Sequence, residues 1–222
     1  MERHFDEELK DLHKDLLKMA VMVQEAIYKS IEALKSRDKT QAQEVIASDS
    51  KIDQMELTID EKCIDLIARH QPMAGDLRFL TTSMKINGDL ERIADLAVDI
   101  AQRVLELVDK PLLKPLIDIP KLSTIAQSMI KNAIDSFVNR DVELAKKVAL
   151  SDPEADKLRN LVQEELINDY MARDPKTADR AVPLLLIARH LERICDHTTN
   201  IAEDVIYMVE GKVVKHHLEE LK

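Results

Sequence analysis

Glycine is scarce in this sequence and tryptophan is absent. Only 3 of the 222 residues are glycine, where average usage would give about fifteen. Gly75, Gly88 and Gly211 lie far from one another, so the glycine-rich phosphate loops of P-loop NTPases and Rossmann enzymes cannot be built. Both of these nucleotide-binding classes are therefore excluded.

Long apolar runs are missing as well. The longest uncharged apolar run covers residues 181–188, whereas a membrane-spanning helix needs about 20 such residues. The first residues are charged and do not form the apolar segment of a signal peptide. We therefore expect a soluble, cytoplasmic protein.

The charge balance and the cysteines exclude further classes. Acidic residues outnumber basic ones by 42 to 32, which gives a formal net charge of −10. Nucleic-acid binding requires a basic surface, so we expect no nucleic-acid partner. Cys63 and Cys195 form neither a CxxC pair nor a disulfide framework, which fits a reducing compartment. We expect both to be buried free thiols.

The residues that are abundant favour long helices. Stretches without glycine or proline are rich in Ala, Leu, Glu, Lys and Ile. Between Ile86 and Leu107 the apolar residues recur at alternating intervals of four and three, as in a helix packed in a bundle. The seven prolines, Pro183 among them, predict where helices end. The predicted helices cover residues 4–36, 40–70, 76–109, 121–139, 142–172 and 177–211.

The chain also contains an internal duplication. Asp38 and many residues around it recur 103 positions later, where Asp38 matches Asp141. After a short deletion the shift becomes 101, and the sequence LERI at 90–93 recurs at 191–194. The predicted fold class is all-α, a tandem duplication of a three-helix bundle with six long helices. The predicted domains are a first bundle at 1–110, a Pro-rich linker at 111–120 and a second bundle at 121–222.

Two groups of acidic residues repeat with the duplication. Within each group the acids are spaced four residues apart, which places them on one helix face about 6 Å apart. In the first half, Asp53 and Glu91 both lie 19 residues from Pro72, so antiparallel helices of equal rise bring them side by side. The candidate metal ligands are Asp49, Asp53, Glu91, Asp95 and Asp99 in the first half, and Asp152, Asp156, Glu192 and Asp196 in the second.

Converging carboxylates repel one another unless a cation offsets their charge. Oxygen ligands suit hard cations such as Mg²⁺, Ca²⁺, Mn²⁺ or ferric iron. A metal-free alternative is that Asp49 and Asp152 cap helices, since Asp152 precedes Pro153. In that case salt bridges to Arg92 and Arg193 would absorb much of the charge. The duplication of both groups at matched levels favours metal binding.

Other chemistry has weaker signals in the sequence. His190 and His197 flank the second acidic group and could join a metal. The Glu-x-x-His pair of ferritin-like di-iron enzymes is absent, which counts against oxygen chemistry. We identify no catalytic residue and expect no enzyme.

Three short motifs resemble those of a known family. The sequence GDLR at 75–78 precedes DLERIAD at 89–95, and LERICD follows one repeat later at 191–196. Together with the duplication, these motifs resemble the PhoU family of phosphate-signalling regulators over essentially the whole chain.

The resemblance implies a six-helix, two-bundle cytoplasmic protein whose acidic motifs hold clustered iron or zinc, with manganese or magnesium also associated with the family. Carried over, these motifs fall on all the candidate ligands named above except Asp99. Asn200 replaces the third acid of the stripe, Asp99, which would weaken the second site or reduce its number of ions.

The resemblance further implies a non-enzymatic negative regulator of phosphate uptake. Its implied partners are the ATPase of a phosphate ABC transporter and a sensor histidine kinase, and it would meet the membrane only through them. A homo-oligomer stays open. Two other classes stay open too: a carboxylate-bridged metallohydrolase or oxygenase, and a metal-free helical scaffold that binds a basic partner.

Overall fold

A computed structural model of the chain describes residues 2–214, with side chains from residue 4 onward. Within that range the regular structure is entirely helical, which confirms the all-α prediction. A π-helical turn, Leu166–Met171, and a 3₁₀ turn, Pro175–Thr177, precede the last helix. The helices are α1 Glu2–Ser36, α2 Lys39–His70, α3 Ala74–Leu107, α4 Asp118–Asn139, α5 Val142–Ala149, α6 Asp152–Glu165 and α7 Ala178–Glu210.

The helices form two bundles that share a central contact. Helices α1, α2 and α3 pack on one another, helices α4 to α7 do the same, and α3 and α7 form the most extensive contact between helices. Leu90 and Ile93 of α3 are fully buried, as are their copies Leu191 and Ile194 of α7. Burial of each such side chain stabilises the fold by about 1.5–3 kcal/mol.

The fifth predicted helix, residues 142–172, is wrong as one continuous element. Helix α5 ends at Ala149 and α6 begins at Asp152, with Pro153 in its first turn. A proline lacks the N–H that an interior position needs, so it belongs in a first turn. The equivalent residue of the first half is Ser50, and there α2 continues without a break.

Pro183 lies inside α7, so the prediction that it marks a helix end is wrong. Its missing N–H leaves the carbonyl oxygen of Asp179, four residues earlier, without the usual helical donor. Lys110 Nζ donates to that oxygen at 2.9 Å. The segment between the bundles thereby supplies the donor that the proline removed.

The duplication is visible in the connection between the first and second helices of each half. Arg37 and Arg140 both adopt the left-handed region, with φ of 59° and 52°. The aspartate that follows each of them caps the next helix: Asp38 accepts hydrogen bonds from the backbone of Thr40 and Gln41, and Asp141 does so from Leu144. A left-handed arginine followed by a capping aspartate therefore precedes the second helix of both bundles.

We expect Asp38→Ala to lower the free energy of unfolding by about 1 kcal/mol, because the substitution leaves backbone donors at the start of α2 without a partner. Asp38→Asn keeps an accepting oxygen and should stay close to the parent. Urea denaturation followed by circular dichroism measures both. Equal losses in the two variants would contradict the capping role.

Candidate metal centre

The pairing of α2 with α3 decides which acids meet. Helix α2 ends at a left-handed Gln71, and α3 returns antiparallel to it. The side-chain amide of Asn87, a fully buried residue of α3, donates to the carbonyl oxygen of Glu56 and to Asp60 Oδ1 of α2, both at 2.9 Å. This register brings the acids of the two helices to matching levels, as the equal distances from Pro72 predict.

Three carboxylates converge where the two helices meet. Asp49 and Asp53 of α2 and Asp95 of α3 each offer an oxygen, and these three atoms lie within 4.8 Å of one another. A cation bound at 2.0–2.6 Å from each ligand requires oxygens about 3–5 Å apart. Asp49 Oδ1 is buried and has no hydrogen-bond partner among the residues that the structure describes. The spacing and the unpartnered oxygen both fit a metal ion.

Two glutamates extend this group. Electrostatic interactions connect Glu91 with Asp53 and Asp95, and they connect Glu56 with the same two aspartates. We call the set of five acids the first cluster; its members are Asp49, Asp53, Glu56, Glu91 and Asp95.

The first cluster is electrostatically strained without a cation. Burial, followed by the charge of neighbouring acids, raises the pKa of Asp49, Glu56, Glu91 and Asp95. The only cation that opposes these shifts among the described residues is Arg92, whose side chain is 64% exposed and lies 3.7 Å from Asp89. A positive charge is therefore what this group of residues lacks.

Glu56 was missed by the sequence analysis, although a signal for it exists. Asp49, Asp53, Glu56 and Asp60 are separated by four, three and four residues. That spacing keeps all four on one face of α2. A spacing of exactly four residues ends at Asp53, because the next position, 57, is a leucine, and so it does not reach Glu56.

Asp99 and the two histidines lie at the contact between the bundles. Asp99 Oδ2 is 3.7 Å from His190 Nδ1 of α7, and Asp89 Oδ1 is 2.9 Å from His197 Nδ1. Both histidines therefore pair with carboxylates of α3, and His197 also acts to lower the pKa of Asp196 in its own half. The role of Asp99 as a metal ligand stays a prediction.

The second half repeats the acids but adds a cation. We call Asp152, Asp156, Glu192 and Asp196 the second cluster. Arg159 of α6 donates to Glu192 Oε1 of α7 at 3.2 Å, and its guanidinium lies 3.9 Å from Asp156 Oδ1. Among the described residues, the second cluster does not form a group of three ligand atoms as tight as that of Asp49, Asp53 and Asp95.

The capping alternative is wrong for both aspartates. Asp49 lies ten residues inside α2, which Asp38 caps. Asp152 is the first residue of α6, where the cap is Ser151 and no side chain makes a capping hydrogen bond. The acids of both clusters therefore have no role as helix caps.

The cysteines are buried, as predicted, and far from reactive. Burial raises the pKa of the Cys63 thiol to about 12, and it also raises that of Cys195. A neutral thiol is a poor nucleophile and a poor ligand.

Among residues 2–214, none of the helices has the length and apolar character to cross a membrane.

Fold and site together define a class: a duplicated helical bundle with carboxylates converging between its second and third helices. A family model described as "PhoU domain" matches twice, at residues 16–104 and 119–205. The chain belongs to the PhoU family, which confirms the resemblance found in its motifs.

Known relatives cover almost the whole chain. It is 43% identical over 214 residues to the phosphate-specific transport system accessory protein PhoU homolog of Aquifex aeolicus, with 96% of each chain covered. It is 37% identical to the homolog of the same description from Pseudomonas aeruginosa, covering 96% of this chain and 88% of the relative.

Solved structures match closely as well. The crystal structure of PhoU from Pseudomonas aeruginosa superimposes with a TM-score of 0.90 at 37% identity, over 94% of this chain and all of that one. The phosphate transport system regulatory protein PhoU from Streptococcus pneumoniae gives a TM-score of 0.88 at 30% identity, over 95% and 99%. The two-bundle architecture is thus that of the family.

We expect Asp152→Asn to stabilise the chelator-treated protein above pH 6. Burial and the charges of Asp196, Asp156 and Glu192 raise the pKa of Asp152 to about 6 from the ordinary 3.8. The native state then holds this proton more tightly than the unfolded chain, so the parent loses stability as the pH rises between these values. Asparagine has no proton to lose.

The expected gain is about 1 kcal/mol at pH 7, because solvent at the half-buried site screens part of the charge. It should disappear below about pH 4, where Asp152 is protonated in both states. Urea denaturation from pH 4 to pH 8 measures the difference, and Asp152→Glu, which keeps a carboxyl group, is the control. A constant difference across this range would contradict the assignment.

Proposed function

We propose that this protein is a metal-binding negative regulator of phosphate uptake and phosphate-starvation signalling that acts through protein contacts and catalyses no reaction. The observation that carries the metal-binding part is the convergence of carboxylate oxygens of Asp49, Asp53 and Asp95 within 4.8 Å of one another, together with the buried Asp49 Oδ1, which has no hydrogen-bond partner among the described residues. The regulatory part is supported by the chain's membership of the PhoU family.

The first cluster is the proposed metal centre. The ligands would be Asp49 and Asp53 from α2 and Asp95 from α3, with Glu56 and Glu91 completing the oxygen shell. A bound cation supplies positive charge there, which relieves the repulsion between the acids and joins α2 to α3. Iron or zinc is the proposed metal, with manganese or magnesium as alternatives.

The proposed partners are the ATPase of a phosphate ABC transporter and a sensor histidine kinase. The relatives' description as accessory proteins of phosphate-specific transport systems supports the first of these. The long charged helices present broad faces, which suit protein docking better than the binding of a small substrate. The protein would work in the cytoplasm, at the membrane only through these partners.

Two features support a role without catalysis. The sequence lacks a glycine-rich nucleotide loop and the Glu-x-x-His pair of oxygen-activating bundles. Burial keeps both thiols neutral. These motifs and thiols therefore do not supply the base or nucleophile that turnover of a substrate requires.

We expect Asp53→Ala combined with Glu91→Ala to abolish metal binding at the first cluster. Both acids flank the buried seam rather than occupy it, so helical content should be unchanged. The parent should lose about 2.7 kcal/mol on chelation if free metal was a hundredfold above Kd, whereas the double variant should lose nothing. Elemental analysis and thermal unfolding measure these outcomes.

Glu44→Ala combined with Glu61→Ala is the matched control, because both residues are exposed acids of α2 outside the cluster. This variant should bind metal as the parent does. Full metal occupancy in the Asp53/Glu91 variant would show that the ligands are assigned wrongly.

Deletion of the gene should switch on phosphate-uptake and phosphatase genes in phosphate-rich medium, since a negative regulator would be lost. Transcript levels of those genes measure the effect, and a plasmid copy of the parent should restore repression. Silent genes would contradict the regulatory proposal. Hydrolysis of a phosphate ester at a rate that follows metal content would replace it with the metallohydrolase alternative.

A further inference from the structure

At one corresponding position, the side chains of the two halves carry opposite charge. A shift of 103 residues aligns α2 with α6. In this alignment Arg159 corresponds to Glu56, and Gln163 corresponds to Asp60. The same face thus carries four acids on α2, while its copy carries Asp152 and Asp156 followed by an arginine and an amide. The duplication keeps Glu91 and Asp95 of α3 as Glu192 and Asp196 of α7, but on the facing helix it replaces an acid by a cation.

Arg159 lies between acids of α6 and α7. Its side chain is 26% exposed, and its Nη2 donates to Glu192 Oε1, which belongs to a carboxylate only 15% exposed. The same nitrogen lies 3.9 Å from Asp156 Oδ1 on α6. Nη1 donates to Asn160 Oδ1 at 2.6 Å, which holds the guanidinium in this position. A single cationic group therefore connects acids of two helices.

This arrangement removes the ligand geometry that the first cluster has. In the first half, Asp53 contributes an oxygen within 4.8 Å of both Asp49 and Asp95. In the second half, the corresponding Asp156 lies beside Arg159 instead, and the described residues form no equally tight group there. A fixed guanidinium also repels an incoming metal ion, since both carry positive charge.

We propose that the guanidinium of Arg159 is the resident cation of the second cluster, so that this cluster binds no metal and metal binding is confined to the first half. This inference rests on the proposed metal-binding function of the first cluster. It departs from the expectation, drawn from the sequence and the resemblance, that both halves hold metal. Arg159 is a specificity-determining residue in the second half, and Glu56 is its counterpart in the first.

Exchanging the two residues tests the proposal. Chelator-stripped protein is dialysed against Mn²⁺ alone, and elemental analysis gives the ratio of Mn²⁺ to protein. Glu56→Arg should abolish binding, Arg159→Glu should raise the ratio about twofold if the sites are independent, and the combined exchange should restore the parent ratio. In the combined variant, Asp156→Ala should remove the Mn²⁺ while Asp53→Ala leaves it in place.

Arg159→Glu adds an acid to a repulsive site, so Arg159→Gln serves as a second variant that removes the cation alone. Circular dichroism establishes that each variant is helical. Arg159→Gln should also bind more Mn²⁺ than the parent, and chelated Arg159→Gln should melt below chelated parent until Mn²⁺ is added. Unchanged ratios in both helical variants would overturn the proposal.

One comparison separates this inference from the function on which it rests. Asp156→Ala combined with Glu192→Ala, made in the parent, should leave the Mn²⁺ ratio unchanged. If it removes part of the Mn²⁺, the second cluster binds metal and the inference is wrong while the metal-binding function stands. If the parent binds no Mn²⁺, zinc or iron at all, the proposed function itself fails.

Discussion

Hydrophobic burial holds like charges together in this fold. Ile52 and Ile59 of α2 and Leu90 and Ile93 of α3 are all buried, and each contributes about 1.5–3 kcal/mol. Repulsion between neighbouring acids on a helix is only a few tenths of a kcal/mol per pair. The seams therefore decide how α2 and α3 pack, and the acids beside them must face one another. The carboxylates converge because the free energy of burial exceeds the repulsion between them.

The duplication shows two ways to accommodate the same charge. In the first half, the acids extend along an unbroken α2, and a buried carboxylate oxygen of Asp49 has no hydrogen-bond partner within the described part of the chain. In the second half, Pro153 starts a new helix and Arg159 bridges to Glu192. The second arrangement contains a cation between its helices, whereas among the described residues the first is opposed only by the exposed Arg92. Two similar bundles thus have different electrostatic properties despite a common backbone plan.

The contact between α3 and α7 connects these two environments. Asp89 meets His197 and Lys85 meets Asp204 across it, both at 2.9 Å. Helix α3 therefore carries acids of the first cluster and also forms the contact with the second bundle. The chain belongs to a family with relatives described as accessory proteins of phosphate-specific transport systems. In this chain, one helix, α3, connects the acids of the first cluster with the contact between the two bundles.

The sequence by itself determined the helical class, the duplication and the level at which Asp53 meets Glu91. These follow from residue period and from the equal rise of antiparallel helices, which need only a count of residues from Pro72. The tertiary structure alone decided that Lys110 compensates for Pro183 and that Arg159 enters the second cluster. Such contacts depend on how each helix is rotated and how a long side chain reaches its neighbour, and residue period along one helix carries no information about either.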